Sequence, residues 1–329
     1  MVKKIDCHCH YLPAPLVNAF RTTPFAQSTV WVWSNTAIEN IEGHLKMQDQ
    51  VGIDVELLSF AALLTDSCKA AGISSAEGMR MTNDAYAEVV SAYPGRFVGT
   101  VCIDPLAGKA ALEEIDRGVN KLGHKAVAMV TSYDGLYIDD EQFWPIYRLA
   151  QELGVPIYAH PNSVTTYWKE MQRAQTTLLR AEISMLVDTT LCIGRFVRYS
   201  IFDKFPNLNF IFCQLGGTIP FLFGRFELLK KQLSRSPKGQ ADPEIVGPLK
   251  DLDDYRGRIF TDCHSLDRYA MQCTIDTLGP ESIVVGGDFP LCLPHEGISW
   301  TIDEINSMRL TASERELIFG GNAARLLKL

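Results

Sequence analysis

Two histidines one residue apart, His8 and His10, close the run Ile5-Asp6-Cys7-His8-Cys9-His10. On an extended strand side chains alternate between faces, so Asp6, His8 and His10 are expected on one face and Cys7 and Cys9 on the other. Two imidazoles then converge on one point, and imidazole is the commonest protein ligand of zinc and similar ions. Taken alone, the pair reads equally well as two solvated residues. Its meaning depends on what the rest of the chain brings to the same place.

Further polar residues stand where other apolar runs end. His160 follows Tyr158-Ala159, and Gln214 follows Cys213 ahead of Leu215-Gly216-Gly217. Asp262, Cys263 and His264 end another run, and Asp288 lies in Gly286-Gly287-Asp288-Phe289-Pro290. Singly, His160 reads as a core histidine and Asp288 as a turn residue. Together, His8, His10, His160 and the Asp288 carboxylate fit one divalent ion, zinc or manganese for a mixed nitrogen and oxygen set, with a position open for water or substrate.

That convergence needs a fold that brings strand ends to one rim. Short β-branched runs are expected as strands at 4–9, 54–60, 97–102, 126–131, 156–159, 209–213, 258–262 and 282–286. Amphipathic stretches between them predict helices, among them 76–91, 110–121, 141–153 and 191–202. Alternating strands and helices imply a parallel sheet. Eight such units in 329 residues are the count of a (β/α)8 TIM-type barrel, and no glycine-rich dinucleotide loop follows any strand to argue for two doubly wound sheets. One domain over residues 1–329 is therefore expected. Long loops follow strands 1 and 5, at 12–40 and 162–190, on the rim where barrel enzymes place substrate loops; 234–254 reads as a mobile excursion.

Composition narrows the partners. The chain is 47% hydrophobic and 21% charged, with a net charge of −8 and a pI near 5.4. No excess of Lys and Arg exists to neutralise phosphates, which argues against nucleic acid and anionic membranes and for a small-molecule partner. Met1-Val2-Lys3-Lys4 leads into a short strand rather than an apolar stretch of signal length, and no run of about 18 uncharged apolar residues occurs. Nine cysteines, an odd number without repeated Cys-x-x-Cys spacing, read as reduced thiols of a cytoplasmic protein.

The opening Ile5–His10 run, the His160-Pro161 step, Gly216-Gly217-Thr218-Ile219-Pro220-Phe221 running to Gly224-Arg225, the Gly287-Asp288-Phe289-Pro290 turn and the closing Gly321-Asn322-Ala323-Ala324-Arg325-Leu326-Leu327 resemble the amidohydrolase superfamily. Within it they are most similar to the branch of 2-amino-3-carboxymuconate-6-semialdehyde decarboxylase and the aromatic acid decarboxylases. The resemblance covers essentially the whole chain, including Asp139-Asp140-Glu141-Gln142-Phe143-Trp144-Pro145-Ile146-Tyr147. It implies a metal-dependent, non-oxidative decarboxylase of an unsaturated or aromatic acid, often a homodimer, with metal ligands at His8, His10, His160 and Asp288. No lysine stands at the end of the fourth strand, where Met129-Val130-Thr131 is found, so a single ion is implied.

The chain departs from that branch at Gln214, which takes the place of the family's histidine. A glutamine can donate and accept hydrogen bonds but cannot carry a proton near neutral pH. Asp288 and His264 are the leading substitutes, with His295 read as a solvated loop residue. Arg225 matches a family arginine that grips substrate carboxylate, sometimes across the dimer interface; a helix-surface arginine pairing with Glu227 is the plainer reading. A second family arginine is replaced by His44-Leu45-Lys46. Phe20, Trp31, Trp33, Tyr167 and Trp168 lie in the two long loops, either lining an apolar pocket or forming loop core. Two other functions stay open: a hydrolase or hydratase of the same superfamily, and a non-catalytic binding descendant.

Overall fold

The β-branched runs pair side by side and all in parallel, in the order β1 (Ile5–His10), β2 (Val55–Ser59), β3 (Phe97–Cys102), β4 (Ala126–Val130), β5 (Ile157–His160), β6 (Phe210–Phe212), β7 (Ile259–Asp262) and β8 (Ile283–Val284). A computed structural model of the chain describes residues 3–133, 135–162, 179–235, 250–264, 267–292 and 296–329. The sheet closes on itself: Cys7 N–H donates to Val285 O at 2.9 Å and His10 N–H to Phe289 O at 2.7 Å, joining β1 to the chain that continues β8. The result is the expected eight-stranded barrel, and both ends of every expected strand fall within two residues of the observed ones.

The lumen is filled, not open. Ile5, Cys7, Val55, Leu57, Ala126, Tyr158, Ile211, Phe260 and Val284 pack with Val98, so all eight strands contribute, and Ala323, Leu326 and Leu327 of the helix Asn322–Leu327 join the same cluster. A filled lumen leaves only the carboxyl ends of the strands for polar chemistry.

Simple alternation fails on β1. Asp6 pairs with Glu56 but Cys9 with Leu58, so β1 spends three steps where β2 spends two and contains a β-bulge. Asp6 and Cys9 therefore share the face of Glu56 and Leu58. The expectation that Asp6 lies with His8 and His10, and Cys7 with Cys9, is corrected: Ile5 and Cys7 face the lumen below, and the extra residue turns His8 and His10 inward above them. Bulges of this kind re-aim side chains beside functional sites.

The helices follow the predicted stretches with local exceptions. Ser75–Ala92 is N-capped by Ser74, whose hydroxyl accepts from Glu77 N–H at 3.2 Å. The expected helix 141–153 begins as a 3-10 turn, Glu141–Phe143, and continues as Trp144–Leu153. The one expected at 191–202 starts earlier, as Met185–Arg198, and breaks before Ile201–Lys204, because Ser200 takes a left-handed φ of 57°. The loop after β1 is four short helical pieces, Ala14–Arg21, Pro24–Ser28, Val30–Trp33 and Thr36–Glu39. Most of the long loop after β5 and of the 234–254 segment lies outside the described residues. Among the described residues, no helix is long and apolar enough to cross a membrane.

Candidate metal centre

Four strand ends deliver one cluster. The His8 ring centroid lies 5.1 Å from that of His10, 5.1 Å from His160 and 5.0 Å from His264, and His10 and His160 are 5.2 Å apart. Asp288 enters from the turn after β8: its N–H donates to His8 O at 2.6 Å, and its φ is 55°. A non-glycine residue held left-handed is costly and typical of functional turns. Asp288 Oδ1 then stands 2.9 Å from His10 Nε2 and 3.4 Å from His8 Nε2, while Oδ2 stands 3.3 Å from His264 Nε2.

The other nitrogen of each ligand ring is already engaged. His8 Nδ1 lies 3.0 Å from Asp262 Oδ2, His10 Nδ1 3.3 Å from Ser59 O, and His160 Nδ1 2.7 Å from Pro161 O. All three partners are acceptors, so each ring donates through Nδ1 and presents the lone pair of Nε2. The Nε2 atoms of His8 and His10 are buried and have no hydrogen-bond partner among the described residues. Convergent imidazole nitrogens beside a carboxylate, with their other ring nitrogens already engaged, fit a divalent cation. Ligand atoms of His8, His10 and Asp288 lie within 4.8 Å of one another, as do those of His8, His160 and Cys213.

The electrostatics agree with the donor set. Burial, reinforced by His8 and His10, pushes His160 down to about 3, and burial likewise pushes His264 down to about 4, so both rings are neutral ligands or acceptors at neutral pH. Burial works against the charge of Asp288, but His264, His10 and His8 outweigh it and hold the carboxyl well below the usual range. Asp262 is held low in the same way, burial being outweighed by His8. His8 moves the other way: burial opposes its charge, yet the Asp262 carboxylate draws it well above its usual value, so an ion bound at Nε2 would displace a proton from that nitrogen.

Gln214 stands on the turn after β6, its N–H donating to Asp262 Oδ1 at 2.9 Å and its side-chain Oε1 buried without a partner among the described residues. Gln214, Leu215, Gly216 and Gly217 have φ of 58°, 52°, 70° and 66°, a run of four left-handed residues. Arg225 is not brought into the cluster. It is exposed on the helix Ile219–Ser234, on the same outer strip as Phe221 and Leu228, and Glu227 pairs with Lys231 rather than with it. His44 is buried, 3.2 Å from both Glu56 carboxylate oxygens. Phe20 and Trp33 are loop core: they pack on each other, and Trp33 on Phe60, which meets the His10 ring. The side chains of Trp31, Tyr167, Trp168 and His295 lie outside the described residues. In the sequence Asp262 is legible only as a strand-end residue; nothing local to it or to His8 announces their partnership.

Residues 5–329 match the family model described as amidohydrolase. A gamma-resorcylate decarboxylase from Polaromonas sp. is 27% identical over 299 residues, covering 87% of this chain and 86% of that one. The 2-amino-3-carboxymuconate-6-semialdehyde decarboxylase of Dictyostelium discoideum is 26% identical over 253 residues, 75% of this chain but only 65% of that relative's length. The structure is similar, at a TM-score of 0.77 and 21% identity over 100% of this chain and 98% of the other, to a dihydroxybenzoic acid decarboxylase from Polaromonas sp. JS666 with bound manganese and the inhibitor 2-nitroresorcinol.

Proposed function

The chain belongs to the amidohydrolase family, and on that premise we propose that it is a metal-dependent, non-oxidative decarboxylase of an aromatic or unsaturated carboxylic acid. One observation carries the reading: Nε2 atoms of His8 and His10, buried and unpartnered, converge with His160 on the Asp288 carboxylate. His8, His10, His160 and Asp288 would hold one divalent ion, for which zinc suits the three-nitrogen, one-oxygen set and manganese is supported by the similar decarboxylase that contains it. When bound, the ion supplies a Lewis acid for the substrate's carboxylate and a neighbouring oxygen.

The chain's own residues then have distinct work. In decarboxylation the bond between the substrate carbon and its carboxyl carbon breaks, the electron pair stays on the substrate carbon, and a proton replaces the departing carbon dioxide. His264, facing Asp288 Oδ2 across 3.3 Å and neutral at rest, is the assigned acid/base group, taking up a proton before passing it to the substrate carbon, with Asp288 a further group in reach. Gln214 positions the substrate oxygen through its amide. Arg225 binds substrate carboxylate from outside its own cluster, which its exposure on the helix Ile219–Ser234 supports if a second copy docks there. A cytoplasmic homodimer in which residues 1–329 act as one domain completes the reading.

Purified protein loaded with zinc or manganese is expected to release carbon dioxide from aromatic or muconate-type acids, to stop on chelation and to resume on metal return. A metal-loaded protein that hydrates an alkene or hydrolyses a carbonyl compound, and releases no carbon dioxide from any such acid, would overturn decarboxylation in favour of the hydratase or hydrolase.

A further inference from the structure

Asp262 is assigned no direct contact with the ion or the substrate, yet four donors, from β1, β5, the turn after β6 and the end of β7, meet on its carboxylate. Oδ2 accepts from His8 Nδ1 at 3.0 Å and from the Tyr158 hydroxyl at 3.2 Å. Oδ1 accepts from the backbone N–H of Gln214 at 2.9 Å and of His264 at 3.1 Å. An ionised carboxylate offers about four lone-pair sites, so this one is fully used. The space it occupies is kept by Gly286, where an added Cβ would sit 2.9 Å from the Asp262 Cβ and Cγ.

We infer that Asp262 is a positioning residue: its carboxylate fixes His8 as the ring that donates through Nδ1 and faces the ion through Nε2, and it ties the backbones of Gln214 and His264 to that same point. The inference rests on the metal reading proposed above. One side chain thus sets a ligand's tautomer, the turn that presents Gln214, and the strand end that presents His264. No neutral isostere can do all three. An amide has about two acceptor sites and turns an NH2 group toward the remaining donors. In Asp262→Asn, either Nδ2 faces His8, forcing the ring proton onto Nε2 where the ion should bind, or Nδ2 faces two backbone N–H groups and loosens both turns.

The test is manganese affinity, read as free manganese by electron paramagnetic resonance while metal-stripped protein is titrated. Wild type should bind one equivalent, and Asp262→Asn should bind between about 10-fold and 100-fold more weakly, the usual cost of losing a partner behind a ligating histidine. A merely structural part would lower the variant's thermal stability but leave the affinity of its folded fraction unchanged, and that result would overturn the inference. Should the variant not fold, zinc-loaded wild-type protein labelled with 15N-histidine decides: His8 should show a hydrogen-bonded Nδ1 proton and a ligated Nε2, whereas ligation through Nδ1 overturns the assignment. Wild type that binds neither metal removes the metal reading itself, an outcome distinct from equal binding by wild type and variant.

Discussion

At the scale of single residues, Gln214 and His264 occupy neighbouring strand ends but differ in what they can do. Gln214 offers an unpartnered amide oxygen and no titrating group. Gln214→Ala should therefore lower kcat/KM by about 1 kcal/mol, the worth of one neutral hydrogen bond, while leaving both limbs of the pH profile in place. His264→Asn should lower kcat by about 10²- to 10⁴-fold and remove or move one limb, as expected when an acid/base group is lost. Equal profiles for the two variants would remove His264 from the proton-transfer role. A second histidine bears on stability instead. His124 is 2% exposed, its Nε2 donates to Asn83 O at 2.9 Å, and burial pushes it down to about 4. Its unfolded value is about 6.5. The unfolded chain thus binds the proton first as pH falls. The stabilising contribution is complete above pH 6.5 and is lost between about 6.5 and 4, at up to about 1.4 kcal/mol per unit. Urea midpoints measured across that window should fall less steeply in His124→Gln than in wild type.

Elements decide how these residues are aimed. The β1 bulge is what turns His8 and His10 into the lumen above Cys7, and the turn after β6 holds Gln214 through four consecutive left-handed residues. Gly217 is the member of that turn with least room. At φ 66°, an added Cβ would run into the Leu186 carbonyl and Thr190 Oγ1, both on the helix Met185–Arg198. Gly217→Ala should therefore cost roughly 1–3 kcal/mol from backbone conformation alone, with the clash added. Urea unfolding of the variant checks this, and an unchanged midpoint would show that the turn has a second accessible shape.

For the whole molecule, the outward strip of the helix Ile219–Ser234 leaves Phe221 83% and Leu228 61% exposed with Arg225 between them. This strip is the surface on which the proposed homodimer would pair. On the proposed homodimer, Phe221→Glu with Leu228→Glu should give a monomer in sedimentation, and Arg225→Met should lower kcat/KM by about 2 kcal/mol or more, because the proposed bidentate charged contact would be lost. An unchanged kcat/KM in Arg225→Met would take Arg225 out of substrate binding. Much of this molecule was legible in the chain alone. The eight strands announce themselves because each buried parallel strand must be a short apolar run, and His8, His10, His160 and Asp288 announce themselves because barrel strands end on one rim. The helix break at Ser200 and the burial of His44 against Glu56 were not legible, since both depend on what packs alongside. Nor was the way His8 is aimed. Sequence alternation put Asp6 on its face, but the β1 bulge overrides alternation, and the acceptor that orients the His8 ring, Asp262, lies 254 residues away. Local pattern determines which residues reach the rim; only closure of the barrel, which brings β1 against β8 and the end of β7 beneath β1's histidines, decides which way their nitrogens point.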